Sequence, residues 1–309
     1  MAIKQRMVFL CVVIASASLS AACSRNGNER PVQSAGLTSS DLLAETNRVD
    51  PDDLLSACDG AGEYWQRQLG AEGHVIVRPP FVLAGNLETI ELQSWYEQTI
   101  KPAAGAMNEQ FFERRPERPI VVLLFRDEAT YRAKAEGLFG DRGVSRHGYH
   151  RPHLHTIIVH AGSGPSALLH ELTHALMAFD FREAPAWLRE GLASLFEDCQ
   201  IGSEPPSIIP LAGARTATLQ RAIREDRLPS LESLILAPDF EGPQSSVYYA
   251  MARHFCLFLD HHGALAPVYR TLRSRGVAAG EDIEVIRRNF GDRSWNQLQD
   301  EFRLWAMAL

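Results

Sequence analysis

Short, fully apolar runs alternate along this chain with longer segments whose apolar residues recur at helical spacing. His74 to Leu83 carries Val75, Ile76, Val77, Phe81 and Val82 and predicts a strand broken by Pro79-Pro80, because proline cannot donate to a ladder. Asn86 is placed to cap a helix from about Leu87 to Phe112, with Ile90, Leu92, Trp95, Tyr96 and Ile100 as its apolar positions and Pro102 as a kink or division. Pro119 opens Ile120-Val121-Val122-Leu123-Leu124-Phe125, a run apolar at every position, as in a strand buried on both faces. Asp127 predicts the N-cap of a helix reaching about Glu136. Gly137 to Pro152, rich in Gly, Arg and His, is expected as a loop, and Leu154 to His160 as another strand. Gly162-Ser163-Gly164 ends that strand, and Pro165 suits the first position of a helix reaching about Phe179. Leu168, Leu172, Ala175, Leu176 and Phe179 give that helix a core face. From Glu183 onward the pattern is mainly helical, with helices expected over 185–198, 213–226, 245–262, 265–275, 281–289 and 294–307.

These elements predict an α+β fold: a folded domain over 55–309, with an α/β part at about 74–180 and a helical part at about 181–309. The segment before it differs in kind. Lys4 and Arg6 precede an apolar stretch from Met7 to Leu19 that is too short to span a bilayer well, so residues 1–22 read as a signal peptide. Ser20-Ala21-Ala22-Cys23 resembles a bacterial lipobox, with Leu19 one position earlier than usual. Cys23 is then the lipid anchor and the membrane contact is through that anchor alone. Ser24 after the cysteine points to the periplasmic face of the outer membrane; plain cleavage after Ala22 would give a periplasmic or secreted protein. Residues 23–54 are polar and rich in Ser, Asn and Gly, as in a flexible tether.

Composition narrows the function. Hydrophobic residues at 45% and charged residues at 22% are ordinary for a globular chain. The net charge is −7, and no basic block or basic-aromatic interleaving occurs, which argues against a nucleic-acid partner. Beyond Cys11 in the leader and Cys23, Cys58, Cys199 and Cys256 remain. Their spacing matches no zinc finger, and buried structural thiols are expected.

The chemistry concentrates in His170-Glu171-Leu172-Thr173-His174. Residues four apart lie above one another on a helix, so both imidazoles can reach one ion, with Glu171 projecting toward the same side. This arrangement suits Zn²⁺, with Glu171 as general base beside a zinc-bound water. All three residues lie off the apolar stripe. A catalytic zinc takes a third protein ligand. One route to it requires a glycine three residues after the second His, where Met177 stands, and Asp180 would be rotated roughly 240° from His174 on a continuing helix. The other takes a glutamate from a second helix. Pro185 opens such a helix and Glu190 lies one and a half turns into it. Small Gly191, Ala193 and Ser194 would let it approach the HELTH helix closely. Glu183 and Glu197 compete with it. Glu183 precedes the helix start, and Glu197, two turns beyond Glu190 on the same face, suits an outer-layer acceptor from a ligand histidine.

With HELTH at 170–174 followed by Ala-Trp-Leu-Arg-Glu-Gly-Leu-Ala at 186–193, the chain resembles the gluzincin class of zinc metallopeptidases, and within it the peptidase-MA-like domains of bacterial secreted proteins and lipoproteins. The resemblance implies a zincin-like fold, a small mixed sheet with an active-site helix followed by a mainly helical part. It implies His170, His174 and Glu190 as zinc ligands, Glu171 as the catalytic base, and a peptide or protein substrate. It also implies that the strand before the active-site helix, Leu154 to His160, is an edge that pairs with extended peptide. Histidines 147, 150, 153 and 155 would line its approach as a polar loop; a second metal site there is the sharper alternative. A group stabilising the oxyanion would come from downstream, with Tyr248, Tyr249 and His254 as candidates. Three rivals remain: a zinc-binding lipoprotein without activity, a zinc amidase acting on cell-wall material, and a purely structural zinc.

Overall fold

The computed structural model describes residues 54–203, 206–211, 213–276, 281–291 and 293–309. The fold is α+β. The leader, the tether and Cys23 lie outside the described residues. Among the described helices, none is long and apolar enough to cross a membrane.

The segment His74–Leu83 belongs to two strands rather than one broken strand. β1 (His74–Arg78) and β2 (Phe81–Gly85) pair antiparallel with Arg78 opposite Phe81, so Pro79-Pro80 occupies the turn, where no ladder N–H is needed. β3 (Ile120–Phe125) and β5 (Thr156–His160) extend the sheet in parallel, and β4 (Gly148–Arg151) closes it antiparallel to β5. The order is β1-β2-β3-β5-β4. The expectation that Leu154–His160 is the edge therefore does not hold: β5 is interior and β4 is the edge. β4 was hidden because Gly-Tyr-His-Arg has no apolar run; it is a strand by virtue of pairing with β5.

Side chains alternate across the sheet. Ile76, Leu83, Val122, Leu124, Ile157 and Val159 face one core, and Val82, Ala84, Val121, Leu123, Phe125 and Ile158 face another. The second core is closed by Cys58 and Trp65 of α1 (Leu54–Leu69) and Tyr131 of α4 (Glu128–Phe139). Asp127 caps α4 as expected, its Oδ1 accepting from the Thr130 amide at 2.8 Å. The first core is closed by the helices that carry the site.

The long helix expected from Leu87 begins instead at Thr89, because Glu88 and Glu91 cap it reciprocally. Asn86 accepts from the Arg126 amide at 2.8 Å instead. The helix widens over Tyr96–Ile100 between α2 (Thr89–Trp95) and α3 (Lys101–Gln110), with the Lys101 N–H donating to the Tyr96 carbonyl, and Pro102, which cannot donate, follows directly after this wider turn.

The HELTH segment lies on α5 (Pro165–Asp180) and Glu190 on α6 (Ala186–Glu197). A hairpin, β6 (Cys199–Ser203) and β7 (Pro206–Pro210), follows and had no sequence signal. The remaining helices are α7 (Ala214–Arg224), α8 (Leu231–Leu236), α9 (Ser245–His261), α10 (Leu265–Arg275), α11 (Glu281–Arg288) and α12 (Trp295–Met307). α6 packs between α5 and α9. A Cβ at Gly191 would lie 2.6 Å from Cys256 Sγ and 2.7 Å from the Ala252 carbonyl, so this glycine serves contact with α9, not the approach to α5 expected from the sequence. From α9, the fully buried Arg253 donates to the carbonyls of Ser194, Leu195 and Asp198, charge-assisted bonds that gather the end of α6.

Candidate metal centre

α5 and α6 bring three ligand atoms together. His170 Nε2 and His174 Nε2 are 3.1 Å apart, and Glu190 Oε2 lies 3.7 Å from the first and 3.5 Å from the second. The i and i+4 spacing aligns the two rings on α5. The helix start at Pro185 sets the phase that turns Glu190 toward them. All three side chains are at most 9% exposed.

This donor set fits a zinc ion. Tetrahedral ligation with bonds of about 2.0–2.1 Å spaces ligand atoms about 3.3–3.4 Å apart, which the observed separations straddle. Hydrogen bonding leaves the group unsatisfied. One imidazole can donate to the other, yet Glu190 Oε2 has no hydrogen-bond partner, and neither has the buried Oε2 of Glu171. Buried polar atoms ordinarily find partners, so convergent ones without any point to a cation.

An outer layer holds the ligands. Glu197 Oε2 lies 3.4 Å from His170 Nδ1 and accepts from Arg215 Nη2 at 3.0 Å, with both acid and guanidinium buried. Glu190 Oε1 accepts from Arg189 Nε at 3.2 Å. These contacts shape the charges. Burial pushes Glu190 up, but His174, His170 and Arg189 outweigh it and hold this acid below the usual carboxylate range. Burial likewise opposes ionisation of Glu197, and His170 with Arg215 brings it down to about 2. Glu171 moves the other way: burial raises it, helped by Glu190 and Glu197 and opposed by His170 and His174.

The other predicted residues divide. Asp180, set aside as a ligand, is buried at the end of α5, where it accepts from the amides of Glu113 and Arg114, Tyr269 Oη and Arg273 Nη1 at 2.8 to 3.0 Å. Glu183 is exposed outside α6. His254 has both ring nitrogens engaged, Nδ1 with the Ala250 carbonyl at 2.6 Å and Nε2 with Thr216 Oγ1 at 2.9 Å, and burial pushes it down to about 4. Tyr249 is buried under Arg215, 5.2 Å from the guanidinium to its ring centre, and so connects with the centre through Arg215 and Glu197. Tyr248 is half-buried, with its ring stacked on Phe240.

The His-rich stretch forms no second group of metal ligands among the described residues. His153 is exposed, and His155 stacks on Phe179 with 4.7 Å between ring centres. His150 lies on the face of β4 turned toward the core that contains α5; burial pushes it down to about 3, and His174 is the next contributor. Arg215 and His150 are the contributors that sequence reasoning did not single out. Arg215 has no local signal, and His150 was one of four loop histidines. Cys58 and Cys256 are buried thiols raised by that burial, and Cys199 donates to the Phe196 carbonyl at 3.2 Å.

No protein-family model and no curated protein matches this chain.

Proposed function

We propose that this protein is a zinc-dependent metallopeptidase of gluzincin type, with a zincin-like arrangement of sheet and active-site helix. The observation that carries the reading is the convergence of His170 Nε2, His174 Nε2 and Glu190 Oε2 beside a Glu171 carboxylate oxygen that is buried and without a hydrogen bond. His170, His174 and Glu190 would hold the ion. A zinc bound there would acidify a water and polarise a carbonyl. Glu171 accepts the proton of the attacking water at its unpartnered oxygen and delivers it to the leaving amine. Glu197 accepts from His170 Nδ1–H and fixes the tautomer that leaves Nε2 free for the metal, while Arg215 keeps Glu197 ionised. The free edge of β4 is where an extended peptide would add to the sheet. Of the two tyrosines, Tyr249 is buried and Tyr248 half-buried, so Tyr248 is the one proposed to reach substrate. In this reading the protein works outside the cytoplasm, tethered through a lipid on Cys23.

The test is to express the full chain, measure bound zinc, and incubate wild type and Glu171→Gln with a diverse peptide library. Cleavage by wild type that vanishes in the variant, with zinc retained by both, supports the peptidase. Zinc retained without cleavage by either protein would replace it with a zinc-binding module.

A further inference from the structure

The two ligand histidines are unequally supported. A metal-bound imidazole normally gives its outer N–H to an acceptor that sets tautomer and ring orientation. His170 has one in Glu197, at 3.4 Å from Nδ1. His174 turns Nε2 toward the other ligand atoms, so its proton belongs on Nδ1, and that atom is buried without a hydrogen bond.

A complementary atom lies on the edge strand. His150 is opposite Ile157 in the β4–β5 ladder and so shares its face, the one that looks onto the core containing α5. β4 itself packs against α5. The Nε2 of His150 is buried and also lacks a hydrogen bond. Its ring stands within the electrostatic reach of His174.

We infer that His150 is the positioning residue for His174: its Nε2 accepts the Nδ1–H of His174 across one bridging water, and so orients the second ligand as Glu197 orients the first. The inference rests on the metal-centre reading above. It assigns β4 a part in building the centre as well as in forming the sheet edge.

Glutamine and asparagine test the atom concerned, because glutamine places its carboxamide oxygen near Nε2 and asparagine near Nδ1. Zinc affinity is measured by competition with a chromophoric chelator on the full chain, for wild type, His150→Gln, His150→Asn and His150→Leu. Visible spectra of the cobalt-substituted proteins are recorded alongside. His150→Gln should stay within about threefold of wild type, and the Asn and Leu variants should bind zinc about 10–100-fold more weakly, with a shifted cobalt spectrum. Equal affinities for the Gln and Asn variants, or a Leu variant indistinguishable from wild type, would overturn the role of His150 and leave the centre standing. If His150→Leu does not fold, the Gln and Asn pair decides alone. A wild type that takes up no zinc would overturn the centre, and this inference with it.

Discussion

The helix α5 carries two buried acids with opposite surroundings. Asp180, at its C-terminal end, receives four donors: two backbone amides, a phenol and a guanidinium. Glu171, two and a half turns earlier, has a buried carboxylate oxygen with none. Burial costs either charge several kcal/mol unless it is paired. At Asp180 the protein supplies the partners, and the acid joins the loop at Glu113 to α5 and α10. At Glu171 and Glu190 one carboxylate oxygen each, Oε2, is left without a hydrogen bond, although Arg189 reaches the other oxygen of Glu190. A saturated buried acid is a structural joint; an unsaturated cluster is what the proposed metal centre would complete.

The sharpest way to break this comparison is at the unsaturated end. Glu171→Gln should lower peptide cleavage by about 10²–10⁴-fold in kcat with zinc content unchanged, read by activity and metal analysis. Residual activity near wild type would remove Glu171 from the base role. Glu190→Ala should come next, weakening zinc binding by more than about 100-fold, whereas Glu197→Ala should cost about 10–100-fold as an outer-layer change. The reverse ranking would exchange their roles. Chelation should lower the melting temperature of wild type and leave that of Glu190→Ala in place, since only an ion bound to the folded state stabilises it.

Asp180→Ala tests the saturated end. Removing the carboxylate strands buried donors and should cost roughly 3 kcal/mol of stability, measured by urea unfolding, while zinc per folded molecule is unchanged. A normal stability with lost zinc would erase the contrast between the two ends. Tyr248→Phe should reduce kcat by about tenfold at unchanged stability; Tyr249→Phe, in the core beneath Arg215, should leave kcat near wild type. The smallest expected effect is a pH slope. His254 and His155 are each depressed to about 4, chiefly by burial, from an ordinary 6.5. The unfolded chain therefore binds more protons between those values, and stability falls as pH drops from 6.5 toward 4. His254→Gln should flatten that slope in thermal melts; an unchanged slope would assign it to other groups.

Much of the frame was legible because it is written in local periodicity. Ile120–Phe125 reads as a doubly covered strand because every position is apolar, and it has a core on each face. HELTH reads as a shared face because four residues make about one helical turn. Elements shaped by their neighbours were not legible. β4 is four mainly polar residues that become a strand against β5, and Gly191 is small because of Ala252 and Cys256, more than sixty positions away. Arg215 reaches Glu197 across the β6–β7 hairpin, a contact that no spacing encodes.

By itself the sequence determined the helix bearing His170, Glu171 and His174, the phase of Glu190 after Pro185, and the two-faced strand at the sheet's centre. Backbone geometry over a few residues suffices for each. The tertiary structure alone decided which strand is the edge, that the three ligand atoms meet within 4.8 Å, and which nearby acids are given partners and which are not. Those facts depend on how α5, α6, α9 and β4 pack together. Hydrogen-bond satisfaction of a buried atom is a property of its neighbours in space, and the order of residues along the chain does not contain it.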